Sequence, residues 1–222
     1  MSSLTIDQEI ALLEEAKTAI FLIREGLTAL KSLQDDVDCR HLPMLLLSNG
    51  CERLLKTVII LNAFERSPGN LNLKSIKIHD IDKLLKQVIE TASAWSYEQT
   101  CPEAKKDMLF LRGCRDLRRL VKLLTDFADK SGRYYNIDLL IGKKPSYNDP
   151  GKLFISYLDE KKSEGITDVI CHTTTILQRF SRALCRIFIW GDLGQTGKDM
   201  ACILGYFLDL KDADLGIILP DQ

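Results

Sequence analysis

Residues 45–90 constrain this chain more than any other stretch, because they carry two apolar stripes at helical spacing with one short polar interruption. In the first stripe Leu47, Cys51, Leu54, Leu55, Val58 and Leu61 recur every three or four residues, which lines them along one side of a helix. Glu52 and Lys56 stand four apart, in the order that favours an ion pair on a wetter face. Pro43 suits the start of this helix, where a missing N–H leaves no hydrogen bond unmade. Gly50 falls inside the pattern at a disadvantage of about 1 kcal/mol relative to alanine, so another helix is expected to approach closely there. In the second stripe Ile78, Ile81, Leu84, Leu85 and Val88 lie on one side, with Asp82, Lys83, Lys86 and Gln87 on the other. Two such helices, joined by the polar loop 67–75, are expected to pack as an antiparallel pair.

The flanking segments continue the helical theme. Thr5 and Gln8 have capping-box spacing, and Ile6, Ile10, Leu13, Ile20, Ile23, Leu27 and Leu30 extend a stripe to about residue 33. A polar break follows at 34–40. Thr100 and Glu103 form a second capping-box pattern with Pro102 in the first turn, which predicts one helix from there to about Lys130. Its inward residues are Ala104, Met108, Leu111, Leu117, Val121, Leu124 and Ala128. Lys105, Arg112, Arg115, Arg119 and Lys122 then share the opposite face, relieved by Asp116 and Asp126. Such a ridge suits contact with phosphates, although a run of this kind is more often an ordinary solvated face.

Gly132 reads as a helix stop. Beyond it Arg133, Tyr134, Tyr135, Lys143, Lys144 and Tyr147 put aromatic and basic groups on an irregular stretch. These can stack on a base or pin the loop to the body. A short helix is expected at 152–162 and a long apolar one at 166–190, so greasy that it needs enclosure by the chain itself or by a second subunit. One line on it is polar: His172, Thr175, Arg179, Arg182 and Arg186. That line can pair with acidic residues of a neighbouring helix or border an anion-binding cleft. Gly191 to Asp199 fails as a phosphate loop, because five residues separate Gly191 from Gly197 and Asp follows the lysine. It is expected to be a turn before a last helix at 198–208. The apolar tail 215–219 is expected to dock on the body or on a partner.

Composition narrows the classes. Thirty Lys plus Arg against 31 Asp plus Glu in 222 residues give no global field toward nucleic acid or acidic membrane, so any basic site is local. Seven cysteines without a CxxC, with Cys51, Cys114, Cys171, Cys185 and Cys202 among apolar neighbours, read as buried free thiols of a reducing cytoplasm. Neither a signal peptide nor a membrane-spanning run is visible, which predicts a cytoplasmic protein without membrane partners. No zinc spacing, HExxH or GxGxxG occurs, so no metal or cofactor is expected.

Gly50, Glu52, Arg53, Leu54, Leu55 and Lys56, followed after a polar loop by His79, Asp80, Lys83, Leu84 and Leu85, resemble the HEPN superfamily of helical domains associated with RNA and nucleotides. The later Gly132-Arg133-Tyr134-Tyr135 is similar to the Arg-Tyr of non-catalytic members. The likeness spans roughly residues 5–140. It implies an all-α, up-and-down bundle of HEPN type over 1–140, with a helical extension, 141–222, packed on it. Catalytic members place four to six residues between an Arg and a His, so that the Arg stands five to seven positions earlier and sets a cation and a proton-transfer group beside the scissile phosphate. Asp36, Asp35 and Gln34 precede His41 at those distances, Lys74, Leu73 and Asn72 precede His79, and Thr167, Ile166 and Gly165 precede His172. None is Arg. The resemblance therefore implies a non-cleaving binding or assembly protein, recognising RNA or a nucleotide in a bacterial defence or toxin–antitoxin setting. It would act as a homodimer or with a protein partner.

The binding residues expected on that reading are Lys105, Arg112, Arg115, Arg119, Lys122, Arg133, Tyr134 and Tyr135. His79 is expected to cap and pack locally. Two alternatives stand beside it: a ribonuclease with a rearranged site using His172 and Arg179, and a purely structural dimerisation or scaffold protein.

Overall fold

The computed structural model describes residues 4–33, 41–66, 77–128, 135–142 and 149–218. All regular structure among the described residues is helical. Helix α1 (Ile6–Lys31) opens on the expected capping box: Gln8 N–H donates to Thr5 Oγ1 at 3.3 Å and Thr5 N–H to Gln8 Oε1 at 2.9 Å. Helix α2 (His41–Arg66) holds Pro43 in its first turn. The α1–α2 contact is the most extensive in the fold and rests on two glycines. A Cβ on Gly26 would come 2.7 Å from Leu47 Cγ, and one on Gly50 would come 2.6 Å from Ile23 Cγ1 and 2.9 Å from the Ala19 carbonyl oxygen. The helix that approaches Gly50 is thus α1.

Helix α3 (Ile81–Ala94) packs on α2 and is capped by Asp80, whose carboxylate accepts from Lys83 N–H at 3.0 Å. The cap expected at His79 therefore sits one residue later. Ser96, in the left-handed region at φ 56°, leads into a 3-10 turn, Tyr97–Gln99. The loop expected at 67–75 lies outside the described residues.

The single helix expected from Thr100 to Lys130 is two: α4 (Pro102–Gly113) and α5 (Arg115–Ala128). They part at Cys114, whose ψ of 113° is extended. Gly113 makes this the weakest point of the run, and the two halves have different work. Helix α4 packs on the long apolar helix and the 3-10 turn, whereas α5 packs chiefly on α2 and α3. The capping box expected at Thr100 is also displaced. Cys101 caps α4, its Sγ accepting from Ala104 N–H at 3.4 Å, while Thr100 N–H closes the 3-10 turn onto the Tyr97 carbonyl.

Next come α6 (Tyr135–Leu140), α7 (Pro150–Ser163, capped by Asp149) and α8 (Val169–Trp190, capped by Asp168). The turn expected at 191–199 is largely helical: α9 (Gly194–Asp199) precedes α10 (Ala201–Leu208), and Met200 separates them. Helix α8 is enclosed by the chain itself, touching α1, α2, α4, α5, α7, α9 and α10. One apolar core contains Leu27, Leu54, Phe127, Phe154, Phe180 and Phe207, so the 1–140 and 141–222 parts share it. The tail docks on α8: Gly216 N–H donates to Gln178 Oε1, and Gln178 Nε2 to the Ile217 carbonyl, both at 2.6 Å.

Six cysteines among the described residues are free thiols. Only Cys51 and Cys185 are buried. Burial pushes the Cys51 thiol up to about 12 and raises Cys185 as well. Cys114 and Cys171 are half-buried, and Cys202, expected among apolar neighbours, is exposed. No helix among the described residues is long and apolar enough to cross a membrane.

Candidate nucleic-acid interface

The break at Cys114 divides the five cations expected on one face. Lys105 is exposed on α4, and Arg112, at its end, donates to Glu98 Oε2 and to Ser93 Oγ, each at 2.7 Å. Arg112 is thereby tied to the 3-10 turn and α3. On α5 the remaining three are joined by Arg118. Arg115, Arg118, Arg119 and Lys122 fall at i, i+3, i+4 and i+7, and with Gly113 and Glu160 they line a shallow concavity of about 570 Å³. Arg118 escapes a reading based on one straight helix from 102. Counted from Arg115 alone, the spacing displays it.

Helix α7 supplies acidic counterweights. Arg119 donates to Glu160, while exposed Arg115 stands 3.8 Å from Glu160 and 3.9 Å from Glu164. Arg118 is exposed and donates to the Arg112 carbonyl, one of the last open acceptors of α4. Lys122 is exposed too, and among the described residues neither it nor Arg118 has a carboxylate partner.

Beneath this face lies a partly buried ionic network. Lys161 is only 1% exposed, and its Nζ donates at 2.6 Å to both Asp116 Oδ1 and Glu164 Oε2. His172 Nε2 meets the other Asp116 oxygen at 2.8 Å. Burial pushes the Asp116 carboxyl up, but hydrogen bonds from Lys161 and His172 outweigh it and hold the group below the usual carboxylate range. Burial likewise pulls the Lys161 ammonium down, and Asp116 and Glu164 more than restore it. The network locks α5, α7 and α8 together and fixes the cations above it.

The polar line on α8 finds partners throughout. His172 is held by Asp116, and the Arg179 guanidinium lies 4.3 Å from the Phe110 ring centroid. Buried Arg182 donates to the Leu210 carbonyl at 2.9 Å and to Asp212 at 2.5 Å. Arg186 donates to Asp107 at 3.2 Å, and burial pushes that carboxyl up against the pull of the guanidinium. Thr175 bonds back to the Cys171 carbonyl at 2.9 Å. His172 and Arg179 thus turn to different partners. Arg133 and Tyr134 lie outside the described residues, and Tyr135 is the first residue of α6.

Among the described residues no cluster of His, Cys, Asp and Glu could hold a metal ion. The fold and this face define a helical bundle with a local basic surface. Comparison with known proteins gives no matching family model, no matching curated protein and no matching solved structure.

Proposed function

We propose that this is a non-cleaving binding and assembly protein of HEPN type that holds single-stranded RNA along the α5 face. The observation that carries the reading is the cluster Arg115, Arg118, Arg119 and Lys122 lining one concavity, with Arg118 and Lys122 uncommitted to any described carboxylate. A chain of net charge −1 has no other broad pull on a polyanion, so the interaction is local and strongly salt-dependent. Non-cleavage is supported by the missing Arg before each His and by the internal engagement of His172.

The double charge reversal Arg118→Glu with Lys122→Glu tests it, because both side chains are exposed and their loss leaves the network below intact. The variant is expected to melt with the wild type and to bind a short RNA strand far more weakly. Its dependence of log affinity on log salt should be shallower by about 1.4, at roughly 0.7 per phosphate contact on a single strand. Unchanged affinity and slope would remove this face as the interface.

Self-association is a second reading, favoured by α1. Ile6, Ile10 and Phe21 are 75%, 51% and 60% exposed and fall on one stripe of that helix. Light scattering at micromolar concentration should then report a dimer that Phe21→Glu converts to monomer. A monomeric wild type counts against it.

A further inference from the structure

Glu160 is the one carboxylate among the described residues that line the α5 concavity. Arg115 and Arg119 stand four apart on α5, and against them Glu160 on α7 and Glu164 at its C-cap stand four apart as well, so one turn of each helix answers the other. Both terminal nitrogens of Arg119 meet the two Glu160 oxygens as a forked pair. Arg115 is held more loosely, 3.8 Å from Glu160 and 3.9 Å from Glu164, with its side chain 76% exposed. Helix α7 thus answers two of the four cations and leaves Arg118 and Lys122 open.

The turn that carries these carboxylates is fixed. Glu160 is followed directly by Lys161, 1% exposed, whose Nζ donates at 2.6 Å to Asp116 Oδ1 of α5 and at 2.6 Å to Glu164 Oε2. Burial of that ammonium pins the end of α7 to α5 and keeps Glu160 at the rim of the concavity. Residues 160–164 also lie beyond the 5–140 span of the HEPN likeness, which implies nothing about them.

We propose that Glu160 and Glu164 are specificity-determining residues of the α5 face, which keep phosphates off Arg115 and Arg119 and so admit a flexible single strand while turning away a duplex. This inference rests on the RNA reading of that face. Arg118 and Lys122 are four apart, and Cβ atoms at that spacing lie about 5–6 Å from each other, close enough to serve neighbouring phosphates of one backbone. A single strand gripped there bends its flanking phosphates away from the carboxylates. A duplex carries more charge per unit length on a stiff frame, so docking it drives further phosphates against Glu160 and Glu164. Like-charge repulsion then falls on the duplex and spares the strand.

Glu160→Gln keeps the shape of the side chain and removes its charge. Fluorescence anisotropy over a salt series, with a short labelled RNA strand and with that strand annealed to its complement, tests the proposal in the full chain. The unaltered protein is expected to hold the strand more tightly than the duplex, a readout that needs no variant to fold. In Glu160→Gln the dependence of log affinity on log salt for the strand should steepen by about 0.7, the value of one further phosphate contact through Arg119. Affinity for the duplex should rise by at least about tenfold more than affinity for the strand, as the like-charge contact is removed. Adding Arg119→Gln to Glu160→Gln should cancel the steeper slope. A wild type that binds duplex as tightly as strand, or a Glu160→Gln protein that melts with the wild type and shows neither gain, would overturn the proposal. The RNA reading then still stands if Arg118→Glu with Lys122→Glu weakens the strand. If neither wild type nor Glu160→Gln binds any strand, both fall together.

Discussion

Gly50→Val is expected to abolish the cooperative unfolding transition. At Gly50 an added Cβ meets Ile23 Cγ1 at 2.6 Å, the Ala19 carbonyl oxygen at 2.9 Å and the Ile23 backbone nitrogen at 2.9 Å. The first neighbour can rotate; the other two are main chain and cannot. Alanine at this position recovers about 1 kcal/mol of helix propensity against an overpacking cost of about 1–3 kcal/mol. Gly50→Ala is therefore modestly destabilised. Valine adds two methyls and a restricted χ1 to the same gap, so the cost should exceed about 4 kcal/mol, a large part of the roughly 5–15 kcal/mol that holds a domain folded. Urea and thermal melts followed by circular dichroism check this. Gly113 is the control: nothing lies within 4 Å of its added Cβ. Gly113→Ala should be neutral or stabilising by about 0.4–1 kcal/mol. A Gly50→Ala protein that melts above the wild type would sink the close α1–α2 crossing.

The second large effect is an asymmetry within one ion pair. Asp116→Ala leaves Lys161, 1% exposed, with Glu164 alone and strips His172 of its partner, a loss of about 3–5 kcal/mol. Lys161→Met keeps the volume, removes the buried charge and leaves Asp116 with His172. It should cost much less, because replacing a buried ion by an apolar group of similar size is often close to neutral.

Acid titration gives the companion result. Asp116, Glu164, Asp80 and Asp212 are all held below the usual carboxylate range by their partners. A depressed folded value stabilises above the ordinary range and loses that contribution as pH falls toward it. Asp107, raised by burial, has the opposite sign: its contribution is present in acid and is lost as pH rises through its folded value. Four groups outnumber one, so the melting temperature should drop below about pH 4. Asp116→Ala should lessen that drop, and an undiminished drop would exclude Asp116 as a source.

How much of this was legible beforehand depends on the range of the interactions. Local signals read well: the Thr5–Gln8 box, the stripe of α2, and the cost of Gly50 that called for a close neighbour; the α1 stripe holds for Ile20, Ile23, Leu27 and Leu30, while Ile6 and Ile10 at its start are exposed. The division at Cys114 carries no proline and no strong cap. It is settled by α4 and α5 packing on different helices, which no window of sequence contains. The Thr100–Glu103 pattern was the better cap by residue type, yet the 3-10 turn claims Thr100 and leaves the weaker sulfur of Cys101 to do it. Arg118 was hidden by the same straight-helix assumption. The meeting of Glu52 with His79 is invisible to periodicity, because it joins residues 27 apart in the chain.

Helix α8 lies in the middle of the bundle but is synthesised after α1, α2, α4 and α5, which pack against it. While the ribosome is still short of Val169, the surfaces of α1, α2, α4 and α5 that will cover it have nothing to cover. A nascent chain halted near residue 140 carries those apolar faces open to water. Productive folding thus waits for α8 to be made, and the interval before it is when the polypeptide is most exposed to aggregation and to chaperone capture.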